Sequence, residues 1–306
     1  MKTIFKILLL TFFIHSAYAV ELPKNHVVST DWLMQHSMDK NIVIIDTRKS
    51  EVYKKSHIKN AVNIPKADWF KGEVGNIKKL YNTPTQVEEM FSKAGIVEDS
   101  IIVFYSAGLL NKDYADAASG FWTAWLYGFR NSVILNGGFA KWVEEKKKIS
   151  TAITKVTPSD IEIESFDKSV LASLGDITEA MYSDDIQITD ARVGKFYRGE
   201  DDRKDLARHG RIMTAKLTPA IRQTQKVGNY FEFISSSESK KVLENGGYGI
   251  DLQKPLIIYC NTGHKARGLW FVTKFIDGMS DVKVYDGSIV EYSRTLLPMD
   301  DGEPMD

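Results

Sequence analysis

The sequence predicts an α/β protein made of two similar halves, each a mainly parallel sheet flanked by helices. Three observations carry that expectation. Short apolar runs that read as buried strands alternate with segments of helical spacing, the pattern of a sheet covered by helices. The order of those segments occurs twice along the chain. A polar stretch over 150–165, containing Pro158 and no sustained helical period, separates the two occurrences.

The chain opens with Lys2 and Lys6, an apolar run over 7–14 broken only by Thr11, and the small-x-small site Ala17, Tyr18, Ala19. That is the build of a cleavable secretory leader over 1–19. Its apolar core is far shorter than the roughly 20 residues that span a bilayer, so export with cleavage is expected rather than anchoring. The mature protein is then expected to be soluble, without a membrane span, and periplasmic or secreted. What remains is too long for one ordinary single-core domain and suits two. The expected units are 20–150 and 171–306, joined by a linker over 151–170.

In the first half, the strand-like run 42–45 ends in Asp46, Thr47, Arg48. A turn at His57 and Ile58 precedes Ala61, Val62, Asn63, Ile64, Pro65. The apolar run 101–105 leads through a loop into a helical stretch over 120–127, and Val133, Ile134, Leu135 precede Asn136, Gly137, Gly138 and a helix bearing Trp142. Trp122, Trp125 and Trp142 read as core packing. The second half repeats the order. Ile186, Gln187, Ile188, Thr189 end in Asp190, Ala191, Arg192, and the turn His209, Gly210, Arg211, Ile212 follows. The run Leu256, Ile257, Ile258, Tyr259 leads to Cys260 and a helix over 266–276, and Val282, Lys283, Val284, Tyr285 precede Asp286, Gly287, Ser288. The repeated placement of His57 and His209 predicts a shared structural hydrogen bond.

Composition narrows the function classes. Lys and Arg number 40 and Asp and Glu 40, with signs scattered, so no basic stripe for nucleic acid is present. One cysteine and six histidines, two of them at 15 and 26, give no zinc-like spacing, and no metal or cofactor is expected. A lone thiol in an exported protein cannot close an internal disulfide. Catalysis is the economical reason for keeping it.

Cys260 stands where a strand gives way to a short polar loop and then a helix. Unpaired backbone N–H groups at a helix N-terminus attract anions, and Gly263 permits the tight turn that wraps them. The same field, with Lys265, Arg267 and His264 nearby, favours the thiolate, which is the attacking form.

Taken together, these motifs resemble the tandem-domain rhodaneses, the thiosulfate and 3-mercaptopyruvate sulfurtransferases. The residues that carry the likeness are Asp190, Ala191, Arg192 with Tyr197, Arg198, Gly199, Glu200; the loop 260–265; and Tyr285, Asp286, Gly287, Ser288 with Glu291. Ile289 and Met213 depart from the family pattern at packing positions. Ser106 occupies the first half's counterpart of the cysteine, in a longer loop, so the resemblance implies a noncatalytic N-terminal domain and a catalytic C-terminal one. It implies sulfane-sulfur transfer from thiosulfate or a related donor to cyanide or a thiol through a Cys260 persulfide, with a protein as a further acceptor class. The expected donor contacts are Lys265 first and Arg198 second, the latter by family likeness. The amides of Asn261, Thr262, Gly263, His264 and Lys265 are expected to cradle the anion. Arg192 is open between touching the donor and ion-pairing within its own domain. A persulfide carrier or anion-binding module is the alternative, and a cysteine phosphatase fits less well, because Ala266 stands where its arginine would be required.

Overall fold

The structure is a computed structural model and describes residues 20–163, 166–245 and 248–303; the expected leader, 1–19, lies outside the described residues. Five strands form the first sheet: β1 (Val27–Val28), β2 (Ile42–Asp46), β3 (Val62–Asn63), β4 (Ile101–Tyr105) and β5 (Ser132–Leu135), in the order β1-β5-β4-β2-β3 and all parallel. The second sheet has β6 (Leu171–Ala172), β7 (Gln187–Asp190), β8 (Lys216–Leu217), β9 (Leu256–Tyr259) and β10 (Val282–Tyr285). Its order, β6-β10-β9-β7-β8, is the same one, again all parallel. The central strands β4 and β9 are buried at every position. Burial on both faces is why they read as unbroken apolar runs rather than as alternation.

Two helices bring the units together. Helix α1 (Tyr114–Leu126) follows β4, and α2 (His264–Phe271) follows the Cys260 loop, continuing as a π-helical turn, Val272–Ile276. Helix α1 begins six residues before the expected 120. Gly268 is the point of closest approach, since a Cβ there would lie 2.9 Å from that of Ala115 and 3.1 Å from the Tyr114 ring. Around it Phe121 meets Phe271 edge-on at 4.8 Å, and Trp125 meets Phe275 at 4.7 Å. A single apolar cluster contains Phe104, Phe121 and Trp122 of the first unit together with Ile258, Trp270 and Phe271 of the second. Each unit keeps a smaller cluster on its outer face. The units therefore share one core, although each sheet is complete by itself. No described helix is long and apolar enough to cross a membrane.

One buried carboxyl lies at the far end of this core. Asp277 accepts a hydrogen bond from Ser239 Oγ at 2.7 Å, and burial pushes its pKa up to about 6. The folded chain therefore binds an extra proton between the unfolded carboxylate's range and pH 6, and stability falls as pH rises through that window. Asp277→Asn is expected to raise stability at pH 7 by roughly 1–3 kcal/mol. Urea midpoints of the two proteins should separate at neutral pH and converge near pH 4; equal midpoints at pH 7 would contradict the assignment.

Candidate active site

Strand β9 is the central strand, and ligands in open parallel sheets bind beyond the carboxyl ends of the strands. Cys260 sits directly at that end and is 2% exposed. The loop 261–263 then turns into α2. Gly263 has φ +77°, and a Cβ there would collide with the Asp286 carboxylate, so glycine is required on both counts.

Ser288, in the turn after β10, fastens the loop. Its Oγ accepts from the amides of Cys260 at 3.2 Å and Gly263 at 3.0 Å, and donates to the Tyr285 carbonyl at 2.9 Å. The amides of Ile289 and Val290 reach the carbonyls of Cys260 and Asn261. Gly263 N–H is thus spent on the scaffold rather than on an anion, which corrects one member of the expected cradle. The amides of Asn261, Thr262, His264, Lys265 and Ala266 have no acceptor among the described residues. They lie in the loop and first turn of an eight-residue helix, where the backbone dipoles favour negative charge.

The cations around the sulfur divide into three kinds. Lys265 is partly buried, and burial lowers its pKa; the charge of Cys260 opposes that shift, while Lys112 and Lys66 of the first unit add to it. Arg192 is fully buried in a bidentate pair with Asp190, at 2.6 to 2.9 Å, and donates to the Gly210 carbonyl at 2.7 Å. Burial disfavours its charge, but Asp190 outweighs burial and Cys260 adds to the effect, so its pKa is raised. Its Nη1 has no partner among the described residues. Arg192 thus both ties strand to loop and feels the charge of Cys260. Arg198, the second expected donor contact, is instead held at the surface by Glu200 and Glu303, and no described hydrogen bond or ion pair links it to the loop. Arg267 is likewise redirected. It donates to Asp286 Oδ1 at 2.7 Å and to the Trp69 carbonyl of the first unit at 3.0 Å, with its guanidinium 4.3 Å from the Phe70 and Trp122 rings.

The first unit reaches into this site at two further points. Tyr81 N–H, after the hairpin Gly72–Val74 and Ile77–Leu80, donates to Asp286 Oδ2 at 2.6 Å. Asp116 of α1 bonds His264 Nε2 at 2.7 Å and Lys66 Nζ at 2.9 Å, both through Oδ1. Burial alone would raise Asp116, but these partners hold it below the usual carboxylate range. The second unit returns the contact: its hairpin Thr224–Val227 and Tyr230–Phe233 places Phe231 N–H on the Gly108 carbonyl and Phe233 N–H on Asn136 Oδ1. Each unit's hairpin covers the other's loop.

A family model described as the rhodanese-like domain matches residues 29–145, and the second unit repeats that unit's strand order. Two curated relatives align with nearly the whole chain. The "Putative thiosulfate sulfurtransferase SseA" of Mycobacterium leprae is 29% identical, over 94% of this chain and 94% of its own. The "Sulfur carrier protein TtuD" of Thermus thermophilus is 27% identical, over 90% of this chain and 97% of its own. The chain is similar to the tandem rhodaneses, and its residues 29–145 match the rhodanese-like domain. A solved structure of SseA from Escherichia coli, described as a 3-mercaptopyruvate sulfotransferase, shares the fold with a TM-score of 0.75 at 23% identity, covering 86% of this chain and 98% of that one.

The two units differ most where their loops should match. Phe139 and Ala140 bond the carbonyls of Ser106 and Ala107, as Ile289 and Val290 bond those of Cys260 and Asn261. Gly138, at φ +57°, stands where Ser288 stands, so the hydroxyl that fastens the Cys260 loop has no counterpart. Over 106–113 the longer loop folds back on Asp113, whose Oδ2 takes the amides of Leu109 at 2.9 Å and Leu110 at 3.0 Å. An internal carboxylate fills this cradle. The histidine pair also resolves differently from expectation. His57 is buried, bonded to the carbonyls of Tyr53 and Ala152 and stacked on the Tyr53 ring at 3.9 Å. Its counterpart is Arg211, over the Tyr197 ring at 4.4 Å; His209 lies two residues earlier, 3.3 Å from Asp201. The hydrogen bond is not shared, because the two turns differ in length before the short strand.

Proposed function

We propose that this chain is a sulfurtransferase that takes sulfane sulfur from thiosulfate, or a related anionic donor, and passes it to a small nucleophile through a persulfide on Cys260. The observation that carries the reading is Cys260 at the end of the central strand, followed by five amides without an acceptor among the described residues, with Lys265 and Arg192 close enough to feel its charge. In the first half-reaction the thiolate attacks the outer sulfur of thiosulfate. The donor's S–S bond breaks and sulfite departs with its electron pair. The persulfide anion then rests among the amides, which are fixed before the charge develops and need no reorganisation. An acceptor such as a thiol or cyanide takes the outer sulfur and returns Cys260 to the thiolate.

Basic surroundings favour thiosulfate over a mercapto acid as donor. The likeness to a sulfur carrier protein favours a second reading, in which the persulfide is handed to a protein partner. A cysteine phosphatase has little support, since Arg267 is committed to Asp286 and Trp69. This covalent chemistry asks for no cofactor. The leader-like residues 1–19 support export, and the proposed location of the mature protein is the periplasm or outside the cell.

Intact mass after brief thiosulfate exposure tests the reading. The expected result is a gain of one sulfur atom, lost on adding cyanide or a reductant. An unchanged mass, with the Cys260 thiol shown to be free, would remove thiosulfate as donor. Discharge only to a protein, and never to small acceptors, would favour the carrier.

A further inference from the structure

We propose that Asp116, on the first unit's helix α1, is a positioning residue for sulfur transfer to thiol acceptors, because it sets which nitrogen of His264 carries the proton. The inference rests on the sulfur-transfer reading above.

The geometry assigns the tautomer. A carboxylate can only accept hydrogen bonds, and Asp116 Oδ1 receives two, from His264 Nε2 and Lys66 Nζ. Nε2 is therefore the protonated nitrogen and Nδ1 carries a lone pair. The neighbouring cations all work against a second proton on the ring. Lys66 faces the ring from the first unit, Lys265 and Arg267 come from its own helix, and the Phe70 ring packs edge-on at 5.7 Å. Among charged groups in contact, Asp116 alone favours a second proton, and burial, Lys66 and Arg267 outweigh it. The imidazole is neutral near pH 7. Nδ1 has no partner among the described residues, and the side chain retains 16% of its surface. An uncharged base thus stands in the first turn of α2, four residues after the nucleophile and beside the free amides.

Such a base suits one class of acceptor. A thiol must lose a proton before its sulfur can attack, whereas sulfite arrives without one to lose. In the proposed step the acceptor thiol gives its proton to Nδ1. Its sulfur forms a bond to the outer sulfur of the persulfide, and the bond from that sulfur to Cys260 Sγ breaks, its electron pair staying on Sγ. The products are an alkyl persulfide anion, the Cys260 thiolate and an imidazolium that returns its proton to solvent. Charge is conserved, and no oxidant or reductant enters.

Asp116→Asn separates positioning from packing. Asparagine keeps the size but not the charge: with its NH2 turned to the ring it puts the proton on Nδ1, at the cost of the Lys66 contact, because one oxygen serves both partners in the parent protein; this is the logic by which Asp→Asn disables a catalytic triad. Each protein is loaded with thiosulfate, freed of excess donor and mixed with glutathione or with sulfite near pH 8, while mass spectrometry follows loss of the added sulfur. The expected result is a fall of at least about tenfold in the glutathione-to-sulfite rate ratio for Asp116→Asn and for His264→Gln, with partial return in Asp116→Glu. The same ratio in all four proteins, with the persulfide formed, would overturn the proposal and leave the sulfur-transfer reading standing. An unmodified protein that never gains sulfur would overturn both. Should Asp116→Asn fail to fold, the ratio in His264→Gln decides.

Discussion

Cys260→Ser is expected to abolish sulfur loading and to lower turnover on the order of 10⁴-fold or more, the scale on which enzymes lose activity when a covalent nucleophile is removed. Serine matches the cysteine in shape, so the Ser288 bond to the residue-260 amide and the bond from Ile289 to its carbonyl survive. What is lost is the sulfur. A hydroxyl ionises far less readily than a thiol and cannot form a persulfide. Cys260 is buried, and placing a hydroxyl there costs about 1–3 kcal/mol if it finds no partner. A thermal melt should therefore move only a little while mass and rate assays go silent. Sulfur retained by the serine protein would move the persulfide elsewhere, and no other cysteine exists to receive it.

The second large effect concerns the seam between the units. Arg267→Met is expected to cost about 3–5 kcal/mol of stability, because it leaves a buried carboxylate without its cation. Asp286 would keep only the Tyr81 N–H, Trp69 would lose its donor, and the cation between Phe70 and Trp122 would be gone. Most of that cost comes from the stranded charge. Adding Asp286→Asn should therefore recover at least half, since removing both charges of a buried pair costs less than removing one. Urea unfolding of the single and double variants measures the difference. A loss below about 1 kcal/mol in Arg267→Met would mean the pair is not the clamp its geometry describes.

These effects also show which parts of the molecule could be read from sequence. Strands β4 and β9 were legible because burial on both faces leaves an unbroken apolar run. The start of α1 was not: Tyr114, Ala115, Asp116 and Ala117 carry no apolar period, since that turn is buried against the other unit rather than against its own sheet. Cys260, Gly263 and Ser288 lie in two short segments whose chemistry is local, and the motif shows itself there. Asp116 meets His264 across 148 residues of sequence, and Tyr81 meets Asp286 across 205. No local spacing announces such partners. Arg198 shows the opposite case, since likeness drew it toward the donor while in the structure it pairs with Glu200, two positions on, and with Glu303.

Asp113 gives the difference between the two loops a direction. A cradle that lost only its cysteine could regain chemistry by one substitution. The first unit's has been refilled: the Asp113 carboxylate holds the amides of Leu109 and Leu110, and glycine at 138 supplies no hydroxyl to fasten a shorter loop. A thiolate installed at position 106 would meet a negative charge already in place. Return to chemistry would need a new nucleophile, removal of the resident carboxylate and shortening of the loop together, with no gain until all three are present. On the sulfur-transfer reading, no single substitution in the first unit's loop would install the chemistry proposed for the second.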